Sequence, residues 1–253
     1  MKMAQTGENL GNSLVRINKY LSSSGVTSRR RADEMVKSGR VKVNGIVVKE
    51  LGTKINPSKD RVEVDGKGVR SSTHLVYILL NKPKDAVTTT HDEKGRRSVL
   101  DVVKVRERVY PVGRLDRNTT GTLLLTNDGE LANRLMHPKH EVIKVYKATL
   151  DRPLKEREMA RVKKGVPIDG SLVVPNELYV LPDSAGLEVG IAVHEGKHHL
   201  VKRIFESIEI RVVQLDRYSY AGLTHRGLQR GGWRNLTMRE ITAVRKLVEL
   251  ATP

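Results

Sequence analysis

Cysteine is absent from the 253 residues, which excludes disulfide frameworks, thiolate zinc sites and thiol nucleophiles. Aromatic residues are scarce at 4%, with one Phe and one Trp, and this argues against an RNA-binding sheet that stacks bases on exposed rings. Acidic residues are outnumbered, 29 against 46 basic ones, leaving a formal charge of +17. An excess of that size suits a polyanion better than a metabolite, so nucleic acid is the leading partner class. Long apolar runs are missing too. The longest, LVYILL at Leu75–Leu80, falls far short of the roughly 18 residues that cross a bilayer, and the start MKMAQTGENLGNS has no signal-peptide core. A cytoplasmic protein with no membrane partner is expected. No P-loop, no G-x-G-x-x-G opening a helix and no G-x-S-x-G elbow is present, so nucleotide-driven chemistry finds no support.

What is there divides into two parts. Residues 1–13 are polar and aperiodic and read as a disordered lead. From Leu14, the spacing of Ile17, Tyr20 and Leu21 predicts a short helix, and Ser28 is placed to cap a second one running to Gly39. In VKVNGIVV the Asn44–Gly45 pair lies between β-branched residues, the strongest short hairpin signal. RVEVDG adds a strand closing near Gly66, and the polar tract Lys67–His74 reads as a linker. Residues 14–72 carry 14 Lys and Arg against 6 Asp and Glu, a net of +8. Arg29, Arg30 and Arg31 open the second helix, where free backbone N–H groups add to the attraction for phosphate. Lys37 and Arg40 can join them on one RNA-facing surface.

Beyond the linker, residues 73–253 form the second part. LVYILLNK breaks at Pro83, TGTLLLT, VYKATL, LEVGIAV and the run through LDRYSYAGL read as strands, and GELANRLM, REMARVKK and HHLVKRIFESI have helical periodicity. No βα alternation recurs at a fixed period. The fold class expected is therefore α+β: a small helix-plus-hairpin domain, then a domain on a mixed, largely antiparallel sheet.

The segment GRLDRNTTG sets one carboxylate, Asp116, between Arg114 and Arg117 on the threshold of an apolar strand. Such a carboxylate is either a structural ion pair or a group that chemistry needs ionised. His194, His198 and His199 cluster in sequence but lack a carboxylate at recognisable ligand spacing, so no metal is expected.

The segments RINKYLSSSG, SRRRADEMVKSGRVKVNG and INPSKDRVEVDG resemble, in order, the RNA-binding alpha-L motif of ribosomal protein S-four. LLNKPKDAVTT, YPVGRLDRNTTGTLLLTNDGELANRLMHP, KVYKATL, EGKHHLVKRIF, LDRYSYAGL and GGWRNLTMREI resemble the pseudouridine synthases of the RsuA type, which modify ribosomal RNA. The resemblance implies that Asp116 attacks or deprotonates the ribose of a flipped uridine, that Tyr146 is the active-site tyrosine, and that Lys202 is the basic residue paired with the aspartate, with Arg203 as alternative if the register shifts by one. Arg114, Arg117 and Arg203 then join Arg29, Arg30, Arg31, Lys37 and Arg40 as RNA-binding residues. It implies no cofactor, and action on ribosomal RNA, of the large subunit, or on a pre-ribosomal particle; a monomer is the default expectation. Two departures stand out: Leu200 replaces a glutamine common in a run such as RNRQVRRM, and GTLLLT stands for GLLLLT. The rival readings are a non-catalytic RNA-binding or ribosome-assembly protein, which has no need of Asp116, Tyr146 and Lys202 together, and a nucleoside hydrolase-like enzyme, for which further carboxylates are missing.

Overall fold

The computed structural model of the chain describes residues 14–70, 74–90 and 92–251. The expected lead at residues 1–13 lies outside the described residues, as does part of the expected linker. Two compact units are present, Met1–Leu75 and Val76–Pro253.

The first unit runs β1 (Val15–Arg16), α1 (Ile17–Ser23), α2 (Arg29–Lys37), β2 (Val41–Val43), β3 (Ile46–Val47), β4 (Lys54–Ile55), β5 (Val62–Val64) and β6 (Lys67–Val69). Ser28 caps α2 by accepting from the Arg31 amide at 3.2 Å. Asn44 and Gly45 both take positive φ, 51° and 82°, and turn β2 into β3. Ile17, Leu21, Ala32, Val36, Val41 and Ile55 close a small core. The tract from Lys67 is a correction: β6 pairs with β5, Val62 opposite Val69. The signal was Asp65–Gly66, whose positive φ values, 50° and 76°, make a second hairpin turn. The polar Lys67 and Gly68 concealed the strand because both are exposed at this sheet edge and only Val69 packs against the core.

The second unit contains β7 (Tyr77–Lys82), α3 (Val99–Val102), β8 (Tyr110–Pro111), β9 (Thr120–Thr126), α4 (Gly129–Met136), β10 (Lys144–Leu150), α5 (Glu156–Lys164), β11 (Val166–Ile168), β12 (Ser171–Val173), β13 (Glu177–Val180), β14 (Glu188–Val193), α6 (Leu200–Glu206), β15 (Val212–Tyr220), β16 (Leu223–Thr224), β17 (Trp233–Asn235) and α7 (Met238–Leu247). The main sheet has the order β13-β14-β10-β15-β9-β7-β17, with β8 and β16 at its margins. Its ladders are antiparallel except β15 against β9. This is the α+β architecture the patterning predicts.

Strands β7 and β9 are buried along their whole length, and the alternation of side chains explains why they read as continuous apolar runs. Tyr77, Leu79 and Leu124 face a core completed by α4 and α7. Ile78, Leu80, Leu123 and Leu125 face the opposite side, under α3. A third cluster joins β10 and β14 to α5 and α6, the last contributing Leu200, Val201, Ile204 and Phe205. Each such side chain contributes roughly 1.5–3 kcal/mol by burial, and four of them fix the roll of a seven-residue helix. Leu200, the departure noted above, is thus a core anchor.

Candidate active site

Asp116 lies in the loop between β8 and β9, and that loop is pinned from within. Lys82, the last residue of β7, is wholly buried. Its ammonium donates to the carbonyls of Pro83, Asp116, Arg117 and Thr119 at 3.1, 3.0, 3.1 and 2.9 Å. Burial pushes the Lys82 ammonium down to about 8, and the four carbonyl dipoles supply the compensation that an interior cation requires. Thr88 ties the same loop at Leu115, donating its hydroxyl to the carbonyl at 2.8 Å and accepting from the amide at 3.2 Å.

Strand β9 leaves this loop through Gly121, whose φ is +105°. A Cβ there would press on the Arg217 carbonyl oxygen and lie 2.8 Å from the Arg217 nitrogen. Only glycine allows the close parallel approach of β9 to β15, Thr120 opposite Asp216 and Gly121 opposite Arg217.

The Asp116 carboxylate is half-buried and meets two side chains from the start of α6. Lys202 donates to one oxygen at 2.9 Å, and His199 Nε2 lies 3.2 Å from the other. Burial is the largest single influence and opposes ionisation. The hydrogen bond and charge of Lys202, then the charges of His199 and His198, together outweigh it and hold the carboxyl below its ordinary range. Tyr146, on β10, stands opposite Arg217 of β15 and Ile191 of β14. A register shift between Val145 and Tyr146 leaves Tyr218 as the extra residue, a bulge of the kind that re-aims a side chain beside a site. Arg217 is buried; its Nε donates to the Thr122 carbonyl at 2.8 Å and its guanidinium lies 4.7 Å above the Tyr220 ring.

Asp116, Tyr146, Arg114, His199, Leu200 and Arg217 all line one cleft of about 950 Å³. Among the sequence-predicted residues the fold therefore gathers Asp116, Tyr146 and Arg114 in one cleft, with Lys202 bonded to the carboxylate. Arg203 is not the aspartate's partner: it makes a bidentate pair with Asp169 at 2.8 and 2.6 Å. Arg117 turns to Asp85 at 3.0 Å, both largely exposed, so among the described residues the ion pairs of Asp116 come from α6 and its cap, not from the flanking arginines. In the first unit Arg29, Arg30, Arg31 and Lys37 are exposed on α2, while Arg40 pairs with Asp65 at 2.5 Å. Lys82, His199 and Arg217 are the residues that sequence reasoning missed. Lys82 had one local signal, a charge closing a strand buried on both faces. The absence of a carboxylate near the histidines is also corrected: Asp116 brings one, with donor atoms of Asp116, His198 and His199 within 4.8 Å of one another.

Residues 76–207, which carry the loop, the tyrosine strand and α6, match the family of RNA pseudouridylate synthases. The chain belongs to that family. Residues 15–62 of this synthase match the S4 domain. It is 41% identical to an RNA pseudouridine synthase of Aquifex aeolicus (strain VF5) over 93% of its own length and 96% of the relative's. It is also 41% identical to the ribosomal large subunit pseudouridine synthase B of Bacillus subtilis (strain 168), over 92% and 97%. A solved pseudouridylate synthase superposes with a TM-score of 0.65 at 28% identity, covering 92% of this synthase and all of the other chain. No helix among its described residues is long and apolar enough to cross a membrane.

Proposed function

We propose that the substrate of this RNA pseudouridine synthase is ribosomal RNA of the large subunit or its precursor, that residues 14–72 grip it, and that the enzyme works as a monomer in the cytoplasm with Asp116 acting on the ribose of a flipped uridine. The ribosomal large subunit named in the Bacillus subtilis relative and the charge of +17 support the substrate. The observation that carries the mechanism is the Asp116 carboxylate held ionised in the cleft, Lys202 on one oxygen and His199 on the other.

Isomerisation breaks the C1′–N1 bond, turns the base in place, forms C1′–C5 and moves the C5 proton to N1. Positive charge develops at the sugar as the first bond breaks, and a fixed carboxylate acts on it by attack at C1′ or by taking a neighbouring ribose proton. Either route needs the ionised form, which Lys202 maintains. Tyr146 faces the same cleft, with a ring to stack on the turning base and a hydroxyl for the proton that leaves C5. Arg114, exposed at the cleft wall, is placed for a backbone phosphate, and the extruded uridine requires such a grip because unstacking costs a few kcal/mol. Mapping pseudouridine in ribosomal RNA from cells with the wild-type protein, the Asp116→Asn variant or neither tests the reading. One or more large-subunit positions should lose the modification both in the variant and in the absence of the protein. Retention of every large-subunit pseudouridine in both would refute it.

A further inference from the structure

His198 and His199 are neighbours in sequence, and in a helix or strand their rings would diverge. Here His199 caps α6 in the left-handed region, φ 53°, and that single turn of the backbone stacks the two imidazoles at 3.6 Å between centroids and 25° between planes. The pair opens onto Asp116, with His199 Nε2 3.2 Å from one carboxylate oxygen and donor atoms of all three residues within 4.8 Å of one another. Ligands about 2.0–2.1 Å from a tetrahedral zinc ion lie about 3.3–3.4 Å apart along each edge, so the His199 to Asp116 separation is already that of two ligands on one ion. His198 is exposed, and rotation of its side chain out of the stack covers the remaining distance. The other Asp116 oxygen stays with Lys202, which orients the carboxylate from outside the set as a hydrogen-bonded neighbour commonly does for a metal ligand.

We propose that Asp116, His198 and His199 form a binding site for a divalent cation of the zinc class, and that a cation seated there blocks the isomerase by occupying the carboxylate that acts on ribose. The donor set, two imidazole nitrogens and one carboxylate oxygen, selects zinc, cobalt, nickel or copper over magnesium and calcium, which take oxygen ligands. Three protein donors leave a fourth position for water. The inhibitory half rests on the role assigned to Asp116 above; the binding half does not. Cation and RNA compete, because the residues that close on the ion also line the cleft the uridine must enter.

The full-length protein, stripped of metal with EDTA, is titrated calorimetrically with zinc chloride and spectroscopically with cobalt chloride. One cation per chain is expected, with the visible absorption of tetrahedral cobalt, and binding should weaken roughly tenfold or more in His198→Gln, His199→Gln and Asp116→Asn. Saturating substrate RNA should weaken it as well. Zinc should inhibit wild-type turnover, EDTA should restore it, and magnesium at equal concentration should have no inhibitory effect. Each histidine variant is compared with its own zinc-free rate and should resist zinc. Unchanged zinc affinity in the double histidine variant overturns the site. Zinc bound through these three residues without loss of turnover overturns the blockade and the assigned role of Asp116 together, whereas failure of binding leaves that role standing.

Discussion

The buried ammonium of Lys82 lies 3.0 Å from the backbone carbonyl of Asp116, 34 residues further along the chain. It holds that carbonyl together with those of Arg117 and Thr119 in the same turn and of Pro83 beside it, so the loop that presents the carboxylate is fixed by a cation on its inner side and left open on its outer side. Lys82→Met keeps the volume and removes the donor. It should lower stability by about 1–3 kcal/mol, the effect of leaving buried carbonyls unpaired, and slow the chemical step more than it weakens RNA binding. Denaturant midpoints and single-turnover rates at saturating RNA measure both; a wild-type rate would remove Lys82 from the positioning of Asp116.

Gly121 carries the crossing of β9 and β15. An alanine there combines left-handed backbone with a methyl group driven into the Arg217 backbone. The expected loss is about 2–6 kcal/mol, from strain and overpacking together, read as a shift in thermal or denaturant midpoint. A fully stable Gly121→Ala protein would mean that the two strands can separate without disturbing the site.

Lys202 and Arg117 should behave differently. Lys202→Ala removes the hydrogen bond that, with the neighbouring charges, holds the Asp116 carboxyl below its ordinary range. The acid limb of the single-turnover pH profile should then move to higher pH, with less effect on affinity. The sign for stability follows from the same depression: ionised Asp116 contributes stability above the unfolded carboxyl value, about 3.9, and loses it as pH falls through the lower folded value. Arg117, paired with exposed Asp85, is worth about 0–1 kcal/mol to the fold, and Arg117→Ala should act on RNA affinity. An acid limb that stays in place in Lys202→Ala would refute the assigned pairing.

The C-terminal helix has its own acid dependence. Glu240 is held down at about 2 by hydrogen bonds from Arg234, against burial, and by the backbone and hydroxyl of Thr237, from an ordinary value of 4.5. Its contribution to stability is complete above pH 4.5 and lost as pH falls towards 2. Glu240→Gln should flatten that part of the stability profile. An unchanged slope between these pH values would show that the clamp on α7 is energetically idle.

The arginine run of α2 tests the first unit. Replacing Arg29, Arg30 and Arg31 together by Ala should weaken binding to structured RNA and reduce the slope of log affinity against log salt by up to about 0.9 for each phosphate that is no longer neutralised, with turnover at saturating RNA retained. An unchanged slope would assign the run to the solvated surface.

Much of the architecture is local in origin and was legible in the residues. Ser28 announces α2, Asn44–Gly45 the β2–β3 turn, and TGTLLLT a strand, because caps, positive φ and strand propensity are settled within a few residues of chain. Asp116, Tyr146 and Lys202 could be picked out through motif resemblance. So could the pairing of Lys202 with Asp116, although no local pattern enforces it. The pairing of Asp116 with Lys202 spans 86 residues, and it depends on Leu200, Val201, Ile204 and Phe205 seating α6 in one orientation. The same roll sends Arg203 to Asp169, although it is the very next residue, since adjacent helical side chains point about 100° apart. Arg114 and Arg117 flank Asp116 in sequence, yet Asp116 pairs with His199 and Lys202 instead. Sequence proximity says which charges can meet, and only the packing of sheet and helix decides which ones do.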